Sequence, residues 1–145
     1  MLDLILDTPS FVIEYDPAVH CLCSTWRGSH DALATLVRCD QLLEQVRRTQ
    51  AQWLLNDSSQ SLDGWREITR WLGLSYFPLL ADHGIRAVAW VNARDWPARA
   101  HMAQMLALVE RPLLDTFSDV EAASAWLQAL PAPAGASPPA PHPAP

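Results

Sequence analysis

Asp57, Ser58, Ser59 and Ser61 form the polar group in this chain best suited to chemistry. They follow directly on the apolar run Trp53-Leu54-Leu55, in the stretch QWLLNDSSQS. The apolar run reads as a short strand and the polar residues as a turn leading into a helix. A serine at a helix N-terminus can carry a phosphoryl group, because free backbone N–H groups and the positive end of the dipole meet it there. Such a group would add about −1.5 to −2 charges to a docking surface. The same four residues also read simply as a chain turn and a helix cap. Either way they belong to the carboxyl end of a central strand, where open α/β sheets place their working surface.

The other reactive side chains point to less. Cys21 and Cys23 share one face of a strand and His20 precedes them, but C-x-C supplies only two metal ligands. No second Cys/His pair at ligand spacing follows, so core packing is the expected role and no metal is expected. Cys39 falls in the middle of a helix, away from the electropositive, partly exposed setting of a nucleophilic thiol. His30 and His101 fall near helix starts and are expected to face solvent; His83 ends a helix, where a cation suits the dipole. There is no G-x-S-x-G elbow, no G-x-G-x-x-G and no Walker loop. Catalysis and cofactors are therefore not expected.

Trp71, Tyr76, Phe77 and Met102 form a second candidate site, an apolar groove between the second and third helices that would take a small apolar, lipid-like ligand. The alternative is that they, with Trp53, Trp65, Trp90 and Trp96, enlarge the core. Tryptophans left exposed would favour a protein interface.

The elements that must position these groups are legible from pattern. Leu2–Leu6, Phe11–Tyr15 and Val19–Trp26 read as strands, the last two joined by Asp16-Pro17 as an antiparallel hairpin. A helix follows to about Gln50, with Ser29 as N-cap, Asp31 in its first turn, and Leu33, Leu36, Val37, Leu43 and Val46 on its apolar face. The region 62–83 reads as a longer helical stretch with a stripe of Trp65, Ile68, Leu72, Tyr76 and Leu79, interrupted by Gly73 and Pro78 so that a kink or two consecutive helices is expected. Ile85–Val91 reads as a buried parallel strand. Asp95 caps a helix with Pro97 in its first turn, and Ala98, Met102, Met105, Leu106 and Val109 face the core. Leu113–Phe117 is the last strand, and Ser118-Asp119-Val120-Glu121 a capping box for a final helix burying Val120, Ala123, Leu127 and Leu130.

These elements predict one α/β domain over residues 1–130. It is a mixed sheet with a leading antiparallel hairpin and central parallel strands, packed against about four helices. Half of the 145 residues are hydrophobic, enough for a core. From Pro131 the chain holds seven of its twelve prolines, one P-x-x-P (Pro138, Pro141) and no Asp, Glu, Lys or Arg. That Pro/Ala-rich tail, 131–145, is expected to be disordered or polyproline-II-like. The formal charge is −6 and all ten basic residues are arginine, with no basic cluster. That composition disfavours nucleic acid and anionic membranes as partners. Three unpatterned cysteines, no basic n-region and no apolar run of about 20 residues predict a cytoplasmic chain without a membrane span.

The element order resembles the anti-sigma-factor-antagonist (STAS-type) fold, near the small bacterial STAS and Sec14-like proteins. The likeness rests on Ile13-Glu14-Tyr15-Asp16, Trp26-Arg27-Gly28, Leu54–Asp57, and Trp71…Pro78…Gly84-Ile85 leading into Val88-Ala89-Trp90-Val91, across about residues 3–130. It implies a binding domain without catalysis, for a protein partner or a second copy. It also implies a phosphorylated serine in an Asp-Ser-x-Gly-type motif. Asp57-Ser58-Ser59 matches the start of that motif, with Gln60 where the family has glycine. On this reading the chain binds through Asp57–Ser61 and the following helix, with phosphorylation of Ser58 or Ser59 as a control. Binding of a small apolar ligand is the alternative, and an enzyme using His with Cys or Ser a third reading.

Overall fold

A computed structural model describes residues 2–62 and 66–131. Trp65 and the tail beyond 131 therefore lie outside the described residues. The chain forms a six-stranded sheet whose spatial order is its sequence order: β1 (Asp3–Asp7), β2 (Phe11–Asp16), β3 (Cys21–Gly28), β4 (Trp53–Ser61), β5 (Ala87–Val91) and β6 (Leu113–Phe117). β1, β2 and β3 pair antiparallel and β3 to β6 pair parallel. This is the expected mixed α/β sheet, with hairpin first and parallel strands after it.

Because each parallel strand is added on the same side of its predecessor, right-handed crossovers put the connecting helices on one face. Residues of α1 (Ala32–Thr49), of the helical rod after β4 and of α4 (Trp96–Leu106) share one core with Phe11, Ile13, Leu22, Leu54, Val88 and Trp90. The opposite face is covered by α5 (Val120–Ala129), whose Ala123 and Leu127 pack on Leu55, Ala87, Ala89 and Val91. Leu22, Leu54 and Val88 stand in one register row across β3, β4 and β5 and are fully buried. Each such side chain contributes roughly 1.5–3 kcal/mol by leaving water.

The rod after β4 is a succession of short helical segments. It runs as a 3-10 turn at Arg66–Ile68, then α2 (Thr69–Trp71), a π-helical turn at Leu72–Tyr76, and α3 (Phe77–Asp82). The Phe77 N–H bonds to the Leu72 carbonyl, five residues back. Pro78 has no N–H to give Leu74, so the turn before it widens and accommodates the ring without breaking the rod. Gly73 lies against α4: a Cβ there would stand 2.7 Å from the Met105 carbonyl oxygen and 2.8 Å from Leu108 Cβ. Absence of a side chain is what lets the two helices touch.

Two caps and two helix faces differ from the sequence reading. Asp31, not Ser29, caps α1, accepting from Ala34 N at 2.7 Å. Asp119, not Ser118, caps α5, accepting from Ala122 N at 2.7 Å. In both cases a carboxylate takes the cap one or two residues inside the expected start. The buried face of α1 is Thr35, Cys39, Leu42, Leu43 and Val46, while Leu33, Leu36 and Val37 are exposed. Val120 is also exposed. Among the described residues no helix is long and apolar enough to cross a membrane.

Candidate functional site

β4 continues through all of Asp57–Ser61, so the expected turn and helix start are part of a nine-residue strand. The cause lies in its neighbour. β3 extends to Gly28 and offers ladder partners to the polar residues, pairing Ser24 with Asn56, Thr25 with Asp57, Arg27 with Gln60 and Gly28 with Ser61, with an irregularity between Thr25 and Arg27. Leu62 N then donates to the Gly28 carbonyl at 2.9 Å. Pairing across the sheet overrides the local turn preference of Asp and Ser. Among the described residues no helix begins at Ser58 or Ser59, which are strand residues.

The strand's alternation sends Asn56 toward the helices, into a fully buried polar cluster. Asn56 Oδ1 accepts from the Trp26 indole N–H at 2.7 Å and from the Ser24 hydroxyl at 3.0 Å, and Asn56 Nδ2 donates to Ser58 Oγ at 2.7 Å. Ser24, Ser58 and Ser61 are completely buried, and Asn56 nearly so. Asp57 and Ser59 are half-buried, and the Asp57 carboxylate accepts from Ser59 N at 3.0 Å. Ser61 Oγ is buried without a hydrogen-bond partner among the described residues. Of the four candidate residues, then, only Asp57 and Ser59 reach the surface. Phosphorylation of Ser58 would first require the end of β4 to leave the sheet.

His30 is buried, contrary to the expectation that it faces solvent. Its Nε2 lies 3.1 Å from the Arg27 carbonyl and its ring meets the Trp26 indole edge-on, centroids 5.2 Å apart. Burial lowers its pKa, outweighing the carbonyl hydrogen bond that favours the cation. His101 is half-buried on α4. The cluster of Ser24, Trp26, Asn56 and Ser58 thus hydrogen-bonds within itself and joins the parallel strands.

Comparison with protein-family models, curated proteins and solved structures finds no match.

The thiols are core groups. Cys39 is buried on α1 and burial pushes its thiol up to about 12. Its carbonyl accepts the Tyr76 hydroxyl at 2.9 Å. Cys21 is buried beneath α5 and its thiol is held well above the ordinary range by its hydrogen bond to Cys23 and by burial. Among the described residues no three His, Cys, Asp or Glu side chains converge as a metal site.

Of the residues expected to line an apolar groove, only Trp71 is exposed. Tyr76, Phe77 and Met102 are buried in the main core, because Gly73 brings the rod directly onto α4. Trp71 instead stacks on Tyr76, ring centroids 5.6 Å apart, and the Tyr76 hydroxyl is anchored on α1. Trp71 stays exposed, as does Leu74 one turn on. Leu33, Leu36 and Val37 lie on the exposed flank of α1. Their i, i+3, i+4 spacing puts them on one strip, and the Tyr76–Cys39 bond ties the rod to that helix. Exposed apolar side chains therefore stand on both α1 and the rod, two elements tied together by that bond. Their signal in the sequence is three large apolar residues in α1 beyond those its buried arc uses. A separate open groove of about 400 Å³ lies over Ile5, Leu6 and Ile13, rimmed by Asp40, Gln41, Glu44 and Gln45.

Proposed function

We propose that this chain is a non-catalytic regulatory or protein-interaction domain of STAS type, working through the outer surface of α1 and the rod and not through Asp57–Ser61. The observation that carries this is the exposed set Leu33, Leu36, Val37, Trp71 and Leu74. Exposed apolar surface of that kind is costly in water and marks interaction sites. Tryptophan is enriched among the residues that dominate interface energetics. The polar residues at the carboxyl end of β4, by contrast, are largely consumed by one another.

The test is a Trp71→Glu, Leu74→Glu double variant used as bait beside the wild type, with partners fixed by cross-linking. The fold should survive, since both side chains are exposed. Loss of the cross-linked partners with an unchanged unfolding curve supports the reading; recovery of the same partners by both baits sinks it.

The groove over Ile5, Leu6 and Ile13 favours a second reading, binding of a small apolar ligand, since its volume lies in the range of ligand sites. Native mass spectrometry tests it. An extra mass lost on denaturation, and absent from an Ile13→Asn variant, supports a ligand there; a bare chain mass removes it.

A further inference from the structure

We infer that the groove over Ile5, Leu6 and Ile13 takes a small cationic amphiphile, a primary amine on a short apolar body. The inference rests on the apolar-ligand reading above and adds the charge of the ligand.

The floor is made by an irregularity in β1. Consecutive residues of a regular strand point to opposite faces of the sheet. Leu4 pairs with Glu14 and Leu6 with Ile13, so Ile5 stands between them as an extra residue without a ladder partner of its own. The bulge turns Ile5 and Leu6 to the same side, where both pack on the main core and both line the groove. Ile13, fully buried, completes the floor from β2. β1 is an edge strand, so the groove of about 400 Å³ lies at the margin of the sheet. A bulge also twists an edge strand away from further pairing. The occupant that fits is therefore a small molecule and not an added strand of another chain.

α1 supplies the rim and with it the charge. Asp40 and Glu44 are exposed, one turn apart, and both line the groove. Like charges at this i, i+4 spacing repel. Neither carboxylate is in an ion pair among the described residues. No arginine among those residues lines the groove. Arg38 is engaged elsewhere, its Nη1 donating to Gln41 Oε1 at 3.1 Å and its guanidinium lying over the Phe11 ring. Arg47 and Arg48 are exposed further along α1 and form no part of the lining. A primary ammonium has three N–H donors and no acceptor. Set between Asp40 and Glu44, it bonds both carboxylates and relieves their repulsion, and the Gln45 amide oxygen in the same wall offers a third acceptor. The apolar body then covers Ile5 and Leu6. A carboxylate or phosphate head would meet two like charges at the mouth, and an uncharged head would leave their repulsion in place.

The experiment is a titration of the full-length chain followed by the methyl NMR signals of Ile5, Leu6 and Ile13. The probes are octylamine, octanol and octanoate, alike in chain length and different in head charge. Octylamine is protonated near neutral pH, as a lysine side chain is. It is expected to bind roughly two- to twentyfold tighter than octanol, the range that two exposed ion pairs supply, and octanoate weakest of the three. In Asp40→Asn with Glu44→Gln, octylamine and octanol should bind alike. The preference should also vanish for the wild type in about 1 M salt, where charges are screened beyond about 3 Å. That measurement needs no variant, so the test stays decisive even if the double variant fails to fold. Equal affinity of the wild type for octylamine and octanol overturns the inference and leaves the apolar-ligand reading standing. A preference for octanoate overturns it as well, since Arg47 and Arg48 would then govern the mouth. So does an octylamine preference that survives both the double variant and the salt. Methyl signals that move with none of the probes remove the inference and the ligand reading together.

Discussion

The Trp26 indole N–H donates to Asn56 Oδ1 at 2.7 Å inside a core from which both residues exclude water. The bond crosses from β3 to β4, and the Ser24 hydroxyl shares the same acceptor at 3.0 Å. Asn56→Ala would leave the Trp26 and Ser24 donors and the Ser58 hydroxyl without this partner. Since each buried unsatisfied group costs about 1–3 kcal/mol, the variant is expected to lose roughly 3 kcal/mol or more of stability. Urea unfolding checks it. A loss below about 1 kcal/mol would mean that the cluster does not join the strands as described.

Gly73 sets a second expectation. Its missing Cβ is the space through which the π-helical turn touches α4, 2.7 Å from the Met105 carbonyl. Helix propensity alone favours alanine over glycine by about 1 kcal/mol. Overpacking against backbone costs about 1–3 kcal/mol, so steric conflict is expected to win. Gly73→Ala should lower the thermal midpoint, while Leu74→Ala beside it, exposed, should leave it nearly unchanged. A stabilised Gly73→Ala protein would contradict the close approach.

The sequence of strands and helices along the chain was legible because it rests on apolar runs such as Val88-Ala89-Trp90-Val91, buried on both faces and unmistakable locally. The end of β4 was not, because Asp57–Ser61 has turn composition and becomes strand only through β3, whose matching length is a non-local fact. The faces of α1 were misread for a related reason. Leu33, Leu36 and Val37 fit a helical stripe, but Thr35 and Cys39 occupy the arc that meets the core. A helix with more apolar residues than its core needs offers two stripes, and periodicity cannot choose between them. The burial of Tyr76, Phe77 and Met102 turns on one glycine, which the sequence marks as an interruption and not as a contact.

The serines make a paired prediction. Ser58 is fully buried and accepts from Asn56, whereas Ser59 is half-buried beside Asp57. Ser58→Asp puts a carboxylate into the core next to an acceptor-rich cluster. An unpaired buried charge costs several kcal/mol, so this variant is expected to unfold or to aggregate on expression. Ser59→Asp is expected to fold, with a smaller loss from repulsion by Asp57. Comparable unfolding midpoints for the two would show that the end of β4 leaves the sheet readily, and would bring a phosphorylated Ser58 back into consideration.

His30 ties stability to pH. Burial lowers its pKa below the ordinary 6.5, while the Arg38 guanidinium also disfavours the cation and Asp31 only partly offsets it. The unfolded chain therefore takes up a proton at a pH where the folded chain does not. Stability attributable to His30 is complete above about pH 6.5 and declines as the pH falls from there toward the lowered folded value. Below that value the folded form is protonated as well and the decline stops. Thermal midpoints measured at pH 7.5, 6.5 and 5.5, values chosen around the ordinary histidine pKa, should fall in that order for the wild type. A His30→Gln variant, less stable at every pH through lost packing on Trp26, should show a shallower decline across the same interval. Equal slopes for the two proteins would mean that the ring titrates in the folded chain as it does in water, and that Trp26 does not shield it.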